Sequence, residues 1–155
     1  MLIRTADTGD AEAITSVINA AFRKAESFFI DGDRIDLDTV RKLMQTGSFL
    51  VADKGGVLCG CVYLELRGER SYLGLLSVDP TKQKSGLGSK LMDAAEGSCC
   101  KVGSRFMDLQ TVNLRKELPG FYQRRGYVET GTAPMPPGLN TKLPCHFVKM
   151  SKPLS

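Results

Sequence analysis

The residues with the most chemical content lie between Leu75 and Leu91. They read Leu-Leu-Ser-Val-Asp-Pro-Thr-Lys-Gln-Lys-Ser-Gly-Leu-Gly-Ser-Lys-Leu. An apolar strand stops at Asp79-Pro80, a polar loop carrying Gly86 and Gly88 follows, and a helix begins. That arrangement grips a phosphate. Amides at a helix start lack intrahelical partners, the helix dipole adds positive potential, and glycines let a ligand come close. Lys82, Lys84 and Lys90 add positive charge nearby. The spacing is not that of a dinucleotide fingerprint, whose third glycine would fall at Leu91. Nor is it a Walker A loop, because Lys90 follows Ser89 and Leu91 takes the Ser/Thr place. A glycine-rich turn ahead of a core helix is the plain alternative.

The flanking elements must position this loop. Leu2–Thr5 reads as a strand. Ile14, Val17, Ile18, Ala21 and Phe22 then recur at helical spacing up to about Ala25. Residues 26–34 mix aromatics, carboxylates and a glycine and read as a loop. Asp36 is placed to cap a second helix that Gly47 ends. The period then becomes two: strands at Ser48–Asp53, Val57–Leu66 and Ser71–Val78 form a meander. A helix from about Ser85 to Gly97 follows, then a strand at Phe106–Val112. Next come a short helix from Leu118 to about Arg125, closed by Gly126, and a strand at Tyr127–Thr130. Residues 131–144 read as a loop with four prolines, and Cys145–Met150 as the last strand. Hairpins first and crossover helices later imply an α/β fold: one domain over 1–155 with a mixed central sheet and helices on both faces.

Composition narrows the class. The 155 residues are 42% hydrophobic and 25% charged, which suits a globular domain rather than a disordered one. Net charge is +4, which suits an anionic small ligand as well as a polyanion, and no block of like charges marks a nucleic-acid tail. No apolar run reaches the ~20 residues of a membrane span, and Met1–Asp7 lacks a secretory pattern. The expectation is a soluble cytoplasmic protein. Five cysteines cannot all pair with one another, and none forms C-x-x-C. Reduced thiols are expected. No metal is expected either: Cys59, Cys61 and His146 are a minor alternative as ligands, because strand-adjacent ligands alone do not define tetrahedral geometry.

The segment Gln83-Lys84-Ser85-Gly86-Leu87-Gly88 resembles the Q/R-x-x-G-x-G/A pyrophosphate loop of the GNAT acyl-CoA N-acyltransferases, and Val78-Asp79-Pro80 before it also looks like theirs. Phe121-Tyr122-Gln123-Arg124-Arg125-Gly126-Tyr127 is similar to the family's F-Y-x-x-x-G-F/Y segment. The order of elements matches too, so the resemblance covers nearly the whole chain. It implies acetyl-CoA as donor, with its pyrophosphate on amides from Lys84 to Ser89. It also implies pantetheine against the backbone of Leu76, Ser77 and Val78, where two parallel strands splay. Gln83 and Phe121 belong to the same cofactor set. Asn113 is the candidate for the pantetheine-holding asparagine, a little further upstream than the family usually has it.

Acyl transfer then sets three tasks. The amine must be neutral, and an alkyl ammonium with a pKa of ~10.4 is neutral only to about 0.1% at pH 7. The developing oxyanion needs a donor, for which a backbone amide of Leu76 or Val78 is placed. The departing thiolate needs a proton or a hydrogen bond, the expected task of Tyr122, with Phe121 packing inward beside it. Glu65, near the end of a central strand, is the candidate base. A water chain is the alternative, as is His146, the one histidine, on a strand that borders the acceptor site in this family. Phe28, Phe29, Asp31 and Asp33 are expected to make an apolar wall with an acidic rim. The implied function is acetyl transfer to a primary amine of a small molecule or peptide, by direct attack in a ternary complex. The alternative is a non-catalytic acyl-CoA sensor. The expected assembly is a monomer or homodimer, without nucleic acid or membrane.

Overall fold

A computed structural model describes residues 1–83 and 85–154. It contains α-helices α1 (Ala11–Glu26), α2 (Leu37–Thr46), α3 (Leu87–Lys101) and α4 (Leu118–Gln123). The strands are β1 (Leu2–Thr5), β2 (Ile30–Asp31), β3 (Ser48–Lys54), β4 (Val57–Arg67), β5 (Arg70–Val78), β6 (Phe106–Val112), β7 (Val128–Pro134), β8 (Asn140–Thr141) and β9 (His146–Pro153). Seven of them form one mixed sheet in the order β1-β3-β4-β5-β6-β9-β7.

Local chemistry accounts for the helices on the first face. Asp7 and Asp10 form a capping box over the 3-10 turn that leads into α1. Ile14, Val17, Ile18 and Ala21 then bury one stripe of it. Asp36 accepts a bond from the Thr39 amide at 2.8 Å and so starts α2. Gly47 ends α2 beneath β4, where any side chain would collide: a Cβ there would sit 2.6 Å from the Tyr63 hydroxyl. Leu37, Val40, Leu43 and Met44 turn toward the core built with α1, Phe49, Val51 and Tyr63.

The opposite face carries α3 and α4. Leu87, Leu91, Met92 and Ala95 meet Val62, Leu73, Met107 and Tyr122 in the second, larger core. α3 runs past Gly97, which sits in open space, and stops before Gly103 at φ 91°. It starts at Leu87 rather than Ser85, and α1 extends to Glu26. β7 and β9 also extend beyond the expected ends, because they pair with each other from Val128↔Ser151 to Pro134↔His146.

Cys59 and Cys61 lie on opposite faces. A register shift next to Cys59 puts it in the core with α3, while Cys61 joins the core with α1. These two thiols therefore do not converge as ligands.

Two segments expected to be loops contain strands. β2, just after α1, pairs with β8, in the proline-rich segment, through Ile30↔Thr141 and Asp31↔Asn140. The Lys142 amide adds a bond to the Phe29 carbonyl at 2.7 Å. This clasp ties the α1–α2 connection to the arm between β7 and β9. Among the described residues no helix is long and apolar enough to cross a membrane.

Candidate active site

β5 and β6 are parallel neighbours, but they pair only at Arg70↔Phe106, Ser71↔Met107 and Tyr72↔Asp108. Beyond Tyr72 the strands part. β5 stays bound to β4 on its other side, with Cys61↔Ser77 and Gly60↔Val78 in register. Backbone groups of residues 73–78 that point toward β6 therefore lack a ladder partner and face a gap. β5 carries one extra residue here, since Tyr63 pairs with Gly74 while Cys61 pairs with Ser77. Leu75 absorbs that bulge at φ 55°, a left-handed conformation that costs a leucine of order 1 kcal/mol or more. The Ser77 hydroxyl donates to the Leu75 carbonyl at 2.9 Å and braces the bulge.

The gap opens into a cleft of about 1600 Å³ lined by β5, β6, the start of α3, α4, the α1–α2 connection and the arm after β7. At one end, Leu76, Ser77, Val78, Gln83, Gly86, Leu87, Gly88 and Ser89 are on the wall. Gly86 is the residue before α3, in the left-handed region at φ 78°, with no side-chain cap bond. A Cβ at Gly86 would have nothing within 4 Å, so the space over the first turn is open. The turn before it is held by Asp79, which accepts from the Thr81 amide at 2.9 Å, and by the Ser85 hydroxyl, which donates to the Lys82 carbonyl at 2.6 Å. Ser85 itself is off the wall, and Lys84 lies outside the described residues. This end fits a pyrophosphate: first-turn amides without an intrahelical partner, no described side chain over them, and Lys82 alongside.

Tyr122 and Phe121 both line the cleft, in the reverse of the expected depths. Tyr122 is the buried one, edge-on to Phe121 at 5.1 Å and to Tyr127 at 5.7 Å. Phe121 is half-buried and lies over Gly88 and Val78. The inversion follows from α4 being a short helix set on the larger core: its inward stripe takes Tyr122, and Phe121 slides under the start of α3. No hydrogen bond ties the Tyr122 hydroxyl to another described residue. Burial pushes its phenol up to about 12, so it is a protonated donor throughout the neutral range.

Glu65 also stands on the wall. Its carboxylate accepts from Arg67 Nε at 3.0 Å and from the Tyr63 hydroxyl at 2.8 Å, which in turn bonds Thr46 at 2.8 Å. These two donors hold the Glu65 carboxyl below the usual glutamate range. It is ionised, and weakly basic on its own.

Asp33 excepted, the other candidates are not brought to the cleft. Phe29 is fully buried in a small core with Ile30 and Val112, and Phe28 stacks on it edge-on, more than half exposed. Asp31 is spent in the clasp strand β2; of the acidic rim, Asp33 alone reaches the wall, paired with Arg23. Asn113 Oδ1 accepts from the His146 amide at 2.8 Å, and the Asn113 amide donates to the His146 carbonyl at 2.9 Å. That mutual pair fastens the end of β6 to the start of β9, and neither side chain lines the cleft.

The structure adds wall residues that the sequence reading left aside: Glu26, Arg34, Tyr72 and Arg115. Glu26 is the last residue of α1, where the helix dipole disfavours a carboxylate. Arg115, 89 residues away, pairs with it at 2.8 Å. Burial still pushes the Glu26 carboxyl up. A glutamate closing a helix was the one available signal, and its partner was invisible in sequence.

Comparison with known proteins agrees with this geometry. Residues 17–141 match the Acetyltransferase (GNAT) domain. No curated protein matches the sequence. Among solved structures, the ribosomal-protein-S18-alanine N-acetyltransferase of Escherichia coli superposes with a TM-score of 0.78 at 16% identity, over 99% of this chain and 94% of that one. A GNAT-family acetyltransferase of Staphylococcus aureus Mu50 gives 0.80 at 19%, over 99% of both. The yncA protein of Salmonella typhimurium, solved with its cofactor acetyl-CoA, gives 0.75 at 22%, over 100% of this chain and 94% of that one. At such identities the structural likeness speaks for the fold, while the domain match covers 125 of the 155 residues. The chain belongs to the GNAT acetyltransferase family, whose acyl donor is acetyl-CoA.

Proposed function

We propose that this chain is a single-domain N-acetyltransferase acting on a primary amine of a small molecule or peptide, by direct attack in a ternary complex. The observation that carries this reading is the strand splay. β5 and β6 part beside a helix start that no described side chain covers, and a buried tyrosine whose hydroxyl bonds no other described residue stands on the wall of the gap.

Acetyl-CoA, when bound, supplies an acetyl group already activated as a thioester. The first-turn amides of α3 and Lys82 would hold its phosphates, and the free edge of β5 at Leu76–Val78 would hold its arm. The residues have three tasks at the reacting centre. A β5 amide next to the Leu75 bulge donates to the carbonyl oxygen as negative charge grows there. Tyr122 would donate a hydrogen bond from its phenol to the departing sulfur. The attacking amine loses one proton, which leaves through water toward Glu65, ionised and held by Tyr63 and Arg67. Positioning supplies much of the rate, since both reactants are held in one cleft.

The test is thiol release from acetyl-CoA with amino acids, polyamines, aryl amines and peptides as acceptors, alongside a thermal shift with coenzyme A. Ligand at a hundred times its dissociation constant is expected to add about 2.7 kcal/mol of stability. Absence of both a shift and calorimetric binding refutes the cofactor site. A shift without turnover of any amine leaves a non-catalytic binder and refutes the enzyme.

A further inference from the structure

Four buried side-chain atoms lack a hydrogen-bond partner among the described residues, and three of them belong to residues on the cleft wall: Glu26 Oε1, Arg34 Nε and Thr111 Oγ1. Unmet hydrogen-bonding groups are rare in a folded interior, and each calls for a partner such as a water, an ion or a ligand. Here they have opposite character, an acceptor on an acid and a donor on a base. The Arg34 backbone is fixed by the Asn19 side chain, whose Oδ1 accepts from the Arg34 amide at 3.0 Å. Its guanidinium rests over the Phe22 ring at 5.5 Å.

Other arginines near this part of the wall are ion-paired: Arg23 with Asp33, Arg67 with Glu65, Arg115 with Glu26 and Glu117. No carboxylate of a described residue lies within 4 Å of the Arg34 guanidinium. Glu26 is near enough to attract it, but one Glu26 oxygen is already taken by Arg115. Glu26, Arg34 and Arg115 thus sum to +1 at the wall, and Glu117, the second carboxylate paired with Arg115, stands on the solvent side. A half-buried guanidinium without a counter-ion is a costly arrangement that an incoming carboxylate relieves.

Resting on the amine-acetylation reading above, we infer that the acceptor is a small amine bearing a carboxylate close to its nitrogen, as in a free amino acid, with the Arg34 guanidinium binding the carboxylate and the neighbouring Glu26 carboxylate attracting the amine. Arg34 offers two parallel donors to a planar anion, which an amide or a bare amine cannot repay. Arg34 is then the residue that sets acceptor specificity.

The experiment uses matched triplets: L-phenylalanine, L-leucine, L-glutamate and L-lysine, each with its α-amide and its decarboxylated amine, under saturating acetyl-CoA. At least one acid is expected to exceed its own amide by about a hundredfold in kcat/KM, the discrimination open to a site built to pair a charged group. Arg34→Gln is expected to bring that ratio close to one, chiefly by raising KM for the acid, and Arg34→Lys to keep part of it. Calorimetry on the coenzyme A complex should show binding of the preferred acid to the parent and its loss in Arg34→Gln. Equal turnover of acid and amide by the parent overturns the inference. So does an Arg34→Gln defect that is the same for both. Turnover of the bare amines, spermidine or peptides with rejection of every acid overturns it while leaving the proposed function standing. Silence with every amine, including those, overturns both.

Discussion

Tyr122→Phe removes one hydroxyl and keeps the ring. The edge contacts with Phe121 and Tyr127, at 5.1 and 5.7 Å, need no hydroxyl. The hydroxyl bonds no described residue, so its loss orphans no partner, and the melting temperature should stay level or rise slightly. The chemical effect is set by acidity. The phenol is pushed up to about 12, whereas an ordinary thiol sits at ~8.5. Complete proton transfer to the departing sulfur would be uphill by about 3.5 units, or roughly 4.8 kcal/mol. Tyr122 therefore acts mainly as a hydrogen-bond donor to a sulfur that leaves as thiolate. Removing one such donor should lower kcat by roughly ten- to a thousand-fold, about 1.4–4 kcal/mol. KM for acetyl-CoA should hardly move, because the bond strengthens only as the C–S bond breaks. Stopped-time thiol release on parent and variant, at saturating substrates, measures this. An unchanged kcat refutes the role. A lower kcat accompanied by a melting temperature several degrees lower assigns the loss to packing instead.

Three further outcomes follow from the geometry. Gly88→Val should weaken coenzyme A binding while the protein still folds, since a Cβ there already touches Phe121 and Val78 at 4.0 Å and a branched side chain projects over the first turn of α3; isothermal calorimetry reads the change, and unaltered affinity would make Gly88 a mere turn residue. Gly47→Ala should destabilise the fold by about 1–3 kcal/mol in urea titrations, the range for forcing an extra methyl into a packed site, because its Cβ would sit 2.6 Å from the Tyr63 hydroxyl; a stability equal to the parent would mean that α2 and β4 separate freely. Asp108, at the last paired rung before the splay, is held below the ordinary 3.8 by Arg70, so its contribution is present above that value and is lost as pH falls through the lower folded value; Asp108→Asn should melt earlier than the parent at pH 6, the gap should narrow as pH falls below 3.8, and a gap that stays constant into acid would rule out the ion pair as its cause.

What the sequence disclosed and what it hid divide along a physical line. The capped helices, the period-two meander and the glycine loop are local: Asp36 over Thr39, or Gly86 ahead of α3, depends on residues within a few positions of one another. Those signals survive in one dimension. The acceptor end depends instead on closures across the chain. β2 and β8 are two residues each, too short for a periodic signal, and neither exists without the other 110 positions away. That closure is what draws Phe29 into a core of its own and takes Asp31 into a strand, so that two residues resembling a binding wall became parts of a clasp. The same kind of distance hid Glu26. A carboxylate at the end of α1 looks like a solvated loop residue until Arg115 arrives from the far side of β6. Tyr122 shows the intermediate case. Its motif was readable, but which of two adjacent aromatics goes inward is settled by where α4 sits on the larger core, and the core chose the tyrosine. Its burial is what raises the phenol's pKa, and with it the preference for donating a hydrogen bond over giving up a proton. The chemistry assigned to that residue is therefore a property of the packing and not of the motif.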